Sequence, residues 1–189
     1  MWLQTMKSMN EEHNANEIYP PIQKCYMLFP TLENMRFTPN GKFLCSYIVP
    51  FQKYWETLVV FPLCSLLPTF LKRWLLQFHL SGYPRVSKCS VDASLDLFEY
   101  DLFTRFADLG RSEMGQVLDL DEDAVSNFHD KMFIYFGATD KWCPLEYVEG
   151  MKAKFPNLQH KICDKGIDHA FVVSSSEDMG EIFCDLVQL

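Results

Sequence analysis

Short apolar segments alternate with amphipathic ones along much of the chain. Residues 24–29 and 132–136 are compact apolar runs, and residues 158–163 form a third short segment between two helical patterns. Continuous apolar runs of this length are typical of strands that are covered on both faces, as in parallel sheets. We therefore predict an α/β fold, in which these strands contribute to a mostly parallel sheet with helices on its faces.

Helical periodicity marks several of the remaining segments. Their apolar residues recur at the spacing that places them on one face of a helix. The predicted helices are 2–12 (with Trp2, Leu3, Met6 and Met9 on one side), 92–109, 145–155 (after Pro144 as the first helical residue) and 177–187 (capped by Ser176).

A long apolar segment at residues 43–80 interrupts this alternation. Its most apolar part, residues 57–71, contains no charged residue but includes Pro62 and Pro68. These fifteen residues are fewer than the ~20 that a spanning helix needs, and proline kinks a helix. Three interpretations stay open: a buried pair of lid helices, a hairpin lying in a lipid surface, and a transmembrane span. A lipid surface suits the flanking residues, which are Tyr54, Trp55, Lys72, Arg73 and Trp74.

These patterns divide the chain into three parts. Residues 1–42 begin an α/β core, residues 43–127 form an inserted helical cap, and residues 128–189 complete the core. Residues 38–41, Thr-Pro-Asn-Gly, predict a turn just before the cap. The acidic run at 119–123 lacks the glycine and the terminal glutamate of a calcium loop, so we interpret it as the start of a helix.

Composition narrows the function classes. The net charge of −8 argues against a nucleic-acid partner, which requires a basic face. The seven cysteines are odd in number and include no C-x-x-C pair, so we predict buried reduced thiols in a reducing compartment. The five histidines form no H-x-x-x-H pattern, and we predict neither a metal nor another cofactor.

The chemistry of the chain is concentrated in Asp140 and His169. Asp140 follows the strand at 132–136, and His169 follows the strand at 158–163. Loops at the carboxyl ends of parallel strands meet at one edge of the sheet, so an Asp–His pair can form there. A carboxylate in this position holds an imidazole in one tautomer and stabilises its charged form. The order of the two residues is that of the C-terminal part of an α/β-hydrolase, where the triad runs Ser…Asp…His.

The expected nucleophile is absent from the printed sequence. No Gly-x-Ser-x-Gly motif occurs in the 189 residues. The nearest approximation, Gly-Arg-Ser-Glu-Met-Gly at 110–115, has its second glycine one residue late and carries large residues where a strained elbow needs small ones. We interpret it as a polar loop.

Several motifs resemble the lipid-droplet-associated hydrolase family of α/β-hydrolases. They are MLFPTLENM at 27–35, TPNG at 38–41, YFGATDKWCP at 135–144 with the following Glu146-Tyr147, and HAF at 169–171. The likeness extends from about residue 20 to the end of the chain, and in the cap it lies mainly in overall character.

The resemblance implies a serine-hydrolase fold on lipid droplets and on the cytosolic face of the endoplasmic reticulum. It implies a neutral-lipid ester substrate, such as a cholesteryl ester, with Asp140 as the triad acid and His169 as the base. The family's serine and oxyanion loop are expected upstream of what matches, and residues 2–12 look like the remnant of the helix after the nucleophile elbow. The fold class is thus an incomplete α/β-hydrolase fold with an apolar cap.

Three hypotheses on function follow. The chain is the C-terminal portion of a lipid-droplet ester hydrolase, inactive alone; or it is a non-catalytic binder of the droplet surface; or its cap contacts another protein chain. Because the family implies a larger sheet than three strands, we also expect one edge of the sheet to lie open.

Overall fold

A small parallel sheet forms the centre of the molecule. The computed structural model describes residues 2–16, 21–83 and 85–188. Within these residues, one sheet holds three strands in the order β1 (Cys25–Leu28), β2 (Met132–Gly137) and β3 (Gln159–Cys163). Both strand pairs are parallel, with Met27 opposite Ile134 and Phe136 opposite Ile162. The three predicted strands and the parallel sheet are confirmed.

Helices cover both faces of the sheet. The helices are α1 (Trp2–Asn16), α2 (Pro39–Phe43), α3 (Gln52–Trp55), α4 (Phe61–Leu66), α5 (Thr69–Leu80), α6 (Lys88–Asp96), α7 (Tyr100–Gln116), α8 (Glu122–Phe128), α9 (Leu145–Lys154), α10 (Phe171–Ser174) and α11 (Ser176–Val187). On one face, residues of α1, α8 and α9 pack against Met132, Ile134 and Phe136. On the other face, α11 packs against Tyr135. The alternate side chains of β2 therefore enter two separate cores, as its apolar run predicts.

The predicted cap begins with a long helical segment. Residues Pro39–Leu66 continue through α2, α3 and α4 with π-helical turns at Leu44–Ile48 and Glu56–Val60 and a 3-10 turn at Val49–Phe51. A bend of 118° separates this segment from α5. No single helix in the described part of the chain is long and apolar enough to cross a bilayer, whereas the bent pair satisfies length and composition together.

Three predictions in and before the cap are wrong. Residues 38–41 do not form a simple turn, because Thr38 caps α2 and accepts a hydrogen bond from the Gly41 N–H at 3.0 Å. Pro39 then occupies the first helical turn, where its missing N–H costs nothing. The predicted helix at 92–109 is two helices, α6 and α7, and α7 continues through the predicted polar loop at 110–115. Gly110 and Gly115 each cost a helix about 1 kcal/mol relative to alanine, yet α7 continues through both.

The remaining helix predictions hold with shifted ends. The helix predicted at 2–12 continues to Asn16 as α1. Of its predicted apolar side, Met6 packs into the core and Met9 is exposed, while the side chains of Trp2 and Leu3 lie outside the described residues. Asp121 caps α8 through the Ala124 N–H, which confirms a helix start in the acidic run.

Two caps fall one residue from their predicted places. Pro144 is the cap of α9 rather than its first residue, and Ser175 rather than Ser176 precedes α11. The short helix α10 was not anticipated, since four residues carry too little periodicity to show.

The edges of the sheet predict the behaviour of the isolated chain. Among the described residues, β1 and β3 pair with β2 alone, so the outer backbone of each strand has no strand partner. The apolar side chains of β1 leave its edge without the charges that discourage pairing.

We expect the isolated 189-residue chain to have low stability and to associate at elevated concentration. Thermal unfolding followed by circular dichroism, with sedimentation for mass, tests this; a cooperative melt of a monomer at high temperature would contradict it.

Candidate active site

Asp140 lies in the turn that follows β2, and its carboxylate is enclosed. The side chain has no exposed surface. Its Oδ1 atom accepts hydrogen bonds from the backbone N–H of Trp142 at 2.7 Å and of Cys143 at 3.3 Å. A buried carboxylate requires such donors, because its charge is otherwise costly outside water. The turn thus fixes one oxygen and leaves Oδ2 to face the neighbouring loop.

His169 lies in the loop that follows β3 and contacts that second oxygen. Its Nδ1 atom is 2.9 Å from Asp140 Oδ2. Since an ionised carboxylate only accepts, Nδ1–H is the donor, and the neutral ring then carries its free lone pair on Nε2. The imidazole remains 35% exposed, and Nε2 makes no hydrogen bond to the described residues.

The sheet explains why residues 29 positions apart meet. β2 and β3 are adjacent and parallel, with Gly137 opposite Cys163 at their carboxyl ends. Both loops therefore start at the same edge. Gly166 adopts a left-handed conformation, with φ of +65°, as the second loop turns back. The predicted juxtaposition of Asp140 and His169 is found; their catalytic role stays a prediction.

One aromatic ring lies beside His169, and three further rings form a cluster centred on Phe29. The indole of Trp142 lies 6.2 Å from the imidazole of His169, measured between ring centroids. Phe29, directly after β1, contacts the rings of Tyr135 and Phe171. It is buried and holds a positive φ of 50°, which is uncommon for a residue with a side chain. The sequence gives no signal that Phe29 belongs to the site, because its apolar run indicates only a strand.

Neither buried polar neighbour of the pair is available as a nucleophile or base. Burial, with the charge of Asp140 as a second cause, raises the pKa of the Cys143 thiol to about 12. Cys143 thus stays protonated at neutral pH and is a poor nucleophile. Burial, followed by a hydrogen bond with Cys163, also raises the pKa of the Tyr135 hydroxyl.

No serine of the described residues is hydrogen-bonded to His169. The hydroxyl of Ser112, in the sequence segment closest to an elbow, lies within α7 and accepts from the Gln116 amide at 2.8 Å. The described part of the chain also contains no group of three or more His, Cys, Asp or Glu residues arranged to bind a metal ion. The site therefore consists of a held imidazole with one free nitrogen.

The family model described as lipid-droplet associated hydrolase matches residues 1–172. The chain belongs to this family. It is 34% identical over 169 residues to the lipid droplet-associated hydrolase of Mus musculus, 33% over 169 residues to that of Rattus norvegicus and 30% over 164 residues to that of Gallus gallus. These matches cover 88%, 88% and 87% of the chain and 50% of each relative.

The chain therefore spans about half the length of the curated relatives it matches. No solved structure matches it significantly. The family assignment made from the motifs at residues 27–41, 135–147 and 169–171 is confirmed.

Gly137 gives a test of how tightly the site is built. A Cβ at this position would lie 2.6 Å from Cε1 of Phe29 and 3.0 Å from Cβ of Asp140. We expect Gly137→Ala to lower the free energy of unfolding by about 1–3 kcal/mol, as overpacking does. We also expect it to displace the His169 ring, which NMR of the imidazole protons would show.

The matched control is Gly150→Ala. Gly150 lies in α9, where an added Cβ meets no atom within 4 Å. This substitution should raise the free energy of unfolding by about 0.5–1 kcal/mol, because alanine is the better helix former. Equal effects of the two substitutions would show that the contact between Gly137 and Phe29 does not constrain the site.

Proposed function

We propose that this chain forms the C-terminal, acid–base portion of an α/β-hydrolase that cleaves neutral-lipid esters at lipid droplets. The observation that carries the proposal is the Asp140–His169 pair, with Nδ1 held at 2.9 Å and Nε2 unbonded. The parallel three-stranded sheet, in which each triad residue follows a strand, supports an incomplete α/β-hydrolase fold. The family relatives named as hydrolases support hydrolytic chemistry.

His169 would act as the general base. Its Nε2 takes the proton of a serine hydroxyl while the serine oxygen forms a bond to the ester carbonyl carbon. When the bond from that carbon to the leaving alcohol oxygen breaks, Nε2–H returns the proton to the alcohol. Water then repeats the sequence on the acyl-enzyme, which releases the acid. Asp140 keeps Nδ1–H directed away from the reacting atoms and stabilises the imidazolium.

The serine of this mechanism would come from the half of the family protein that the chain does not match. No Gly-x-Ser-x-Gly motif occurs in the 189 residues, and the closest segment is helical. We therefore propose that the chain alone performs no triad hydrolysis. The backbone donors that stabilise the oxyanion are assigned to the same unmatched half.

The cap would place the site on a lipid surface. One side of α5 presents Phe70, Trp74 and Phe78, which are 74%, 57% and 71% exposed. Their i, i+4, i+8 spacing makes an aromatic stripe along the helix, and the rings of Trp74 and Phe78 stack at 5.9 Å. An apolar stripe that faces outward favours the lipid-surface interpretation over buried lid helices. We assign the docked chain to droplets and the cytosolic face of the endoplasmic reticulum.

A non-catalytic binder of the droplet surface is the second candidate. The same outward aromatic stripe supports it, since docking requires no serine. In that case the Asp–His pair would contribute to the fold alone.

A chimera tests the catalytic role. The 189 residues are joined behind the unmatched half of the Mus musculus relative and assayed with a short activated ester and with a cholesteryl ester emulsion. We expect turnover by the chimera but not by the chain alone. His169→Ala should lower kcat at least about a thousandfold, and Asp140→Asn about ten thousandfold, because the imidazole then adopts the wrong tautomer.

The control is His160→Ala in the same chimera. His160 lies on β3 and bonds to the Leu158 carbonyl at 3.0 Å, so kcat should change little. If the isolated chain showed turnover and His169→Ala abolished it, the proposal that the chain alone is inactive would be refuted. A folded, active chimera that tolerates His169→Ala would leave the pair without a catalytic role and favour the binder.

Droplet docking has its own test. Phe70→Ser, Trp74→Ser and Phe78→Ser are combined in a fluorescently tagged chain expressed in lipid-loaded cells. Because the three rings are exposed, we expect the fold to persist and the droplet signal to fall severalfold. The matched control combines Val172→Ser and Val187→Ser, two exposed apolar residues outside the cap. Unchanged droplet localisation of the triple variant would exclude the stripe as the docking surface.

A further inference from the structure

Positive charge is concentrated in and next to the first part of the cap. Residues 36–88, the basic segment, contain seven of the 17 lysines and arginines. They contain only one of the 25 aspartates and glutamates, Glu56. The rest of the chain is correspondingly acidic. The net charge of −8 is therefore the sum of a positively charged segment and a more strongly negative remainder.

The cations of the basic segment adjoin exposed aromatic side chains. The pattern occurs as Arg36-Phe37, Lys42-Phe43, Lys53-Tyr54 and Lys72-Arg73-Trp74. All four aromatic residues are more than half exposed. Aromatic rings settle at the headgroup level of a lipid layer, and long cationic side chains extend from that depth to the phosphates. Each group thus combines an exposed aromatic ring with a cation next to it in the sequence, although Arg73 is paired with Asp92 and Lys72 donates to the Cys64 carbonyl.

Two of these cations are not neutralised by an ion pair with another described residue. Lys42 and Lys53 are exposed, and neither forms an ion pair with another described residue. Three lysines elsewhere are neutralised within the molecule, since Lys7 pairs with Asp121, Lys152 with Glu149 and Lys154 with Glu122. Ammonium groups without an internal partner add to attraction by an external negative surface.

We infer that the basic segment docks specifically on anionic phospholipid headgroups, with its exposed aromatic residues inserted beside them. This inference rests on the proposed docking at a lipid surface and adds the chemistry of that surface. A negative headgroup layer attracts the basic segment and repels the acidic remainder, so the molecule binds in one orientation. A zwitterionic layer provides the apolar contact without the attraction.

Flotation with artificial droplets tests the inference. Triolein droplets are coated with phosphatidylcholine alone or with phosphatidylcholine partly replaced by phosphatidylserine. We expect the 189-residue chain to bind the phosphatidylserine droplets more tightly. Lys42→Gln with Lys53→Gln should weaken that binding roughly 25-fold, because each charge near an anionic surface is worth about a fivefold change. Added salt should weaken the binding to phosphatidylserine droplets alone.

The control combines Lys161→Gln with Lys165→Gln, two exposed lysines outside the cap. It removes the same net charge and should leave binding unchanged, with circular dichroism confirming the fold of both variants. Equal binding of the wild-type chain to both coatings would overturn the inference while leaving droplet docking intact. An equal loss in the control pair would also overturn it, because net charge would then explain the effect. Binding to neither coating would remove the docking proposal as well.

Discussion

Asp140 places a carboxylate where it has no exposed surface, and the local structure supplies the donors that such a buried group requires. The penalty of a buried carboxylate falls only when donors occupy its oxygens. Two N–H groups of the following turn bond to Oδ1, and the imidazole of His169 bonds to Oδ2. These donors are available only where β2 ends in a sharp turn and β3 ends beside it. The register of the sheet therefore determines both how the strands pair and whether the donors reach the carboxylate of Asp140.

The same constraint explains why the site could be predicted from the sequence. β2 is an apolar run that is buried on both faces, so its identity and its end are clear in the pattern alone. Parallel pairing then brings the loops of Asp140 and His169 to one edge without further information. The donors to Oδ1 were not predictable residue by residue, because backbone N–H groups leave no trace in the side-chain pattern. Phe29 was missed for a related reason: a positive φ in an apolar residue depends on tertiary packing rather than on composition.

The cap shows what an apolar pattern in the sequence leaves undetermined. Periodic apolar residues indicate a helix, but they do not reveal whether its apolar side faces a protein core or the outside. The predicted stripe in residues 92–109 belongs to two helices, and Leu102, Phe106 and Leu109 are exposed rather than buried. The stripe of α5 is likewise turned outward. So many exposed apolar side chains are unfavourable in water, and this exposure is the observation from which the proposed docking at a lipid surface starts.

The first turn of α2, where the cap begins, is hydrogen-bonded to the turn that holds Asp140. The N–H of Asn40, in the first turn of α2, donates to the carbonyl of Lys141 at 3.3 Å. Thr38 is fully buried, and a Cβ on Gly41 would lie only 2.0 Å from the Met35 carbonyl oxygen. Such close packing leaves no room for a hinge at this point. If the cap docks as proposed, a surface that held α2 would also orient the turn of Asp140, because Asn40 and Lys141 are hydrogen-bonded to each other.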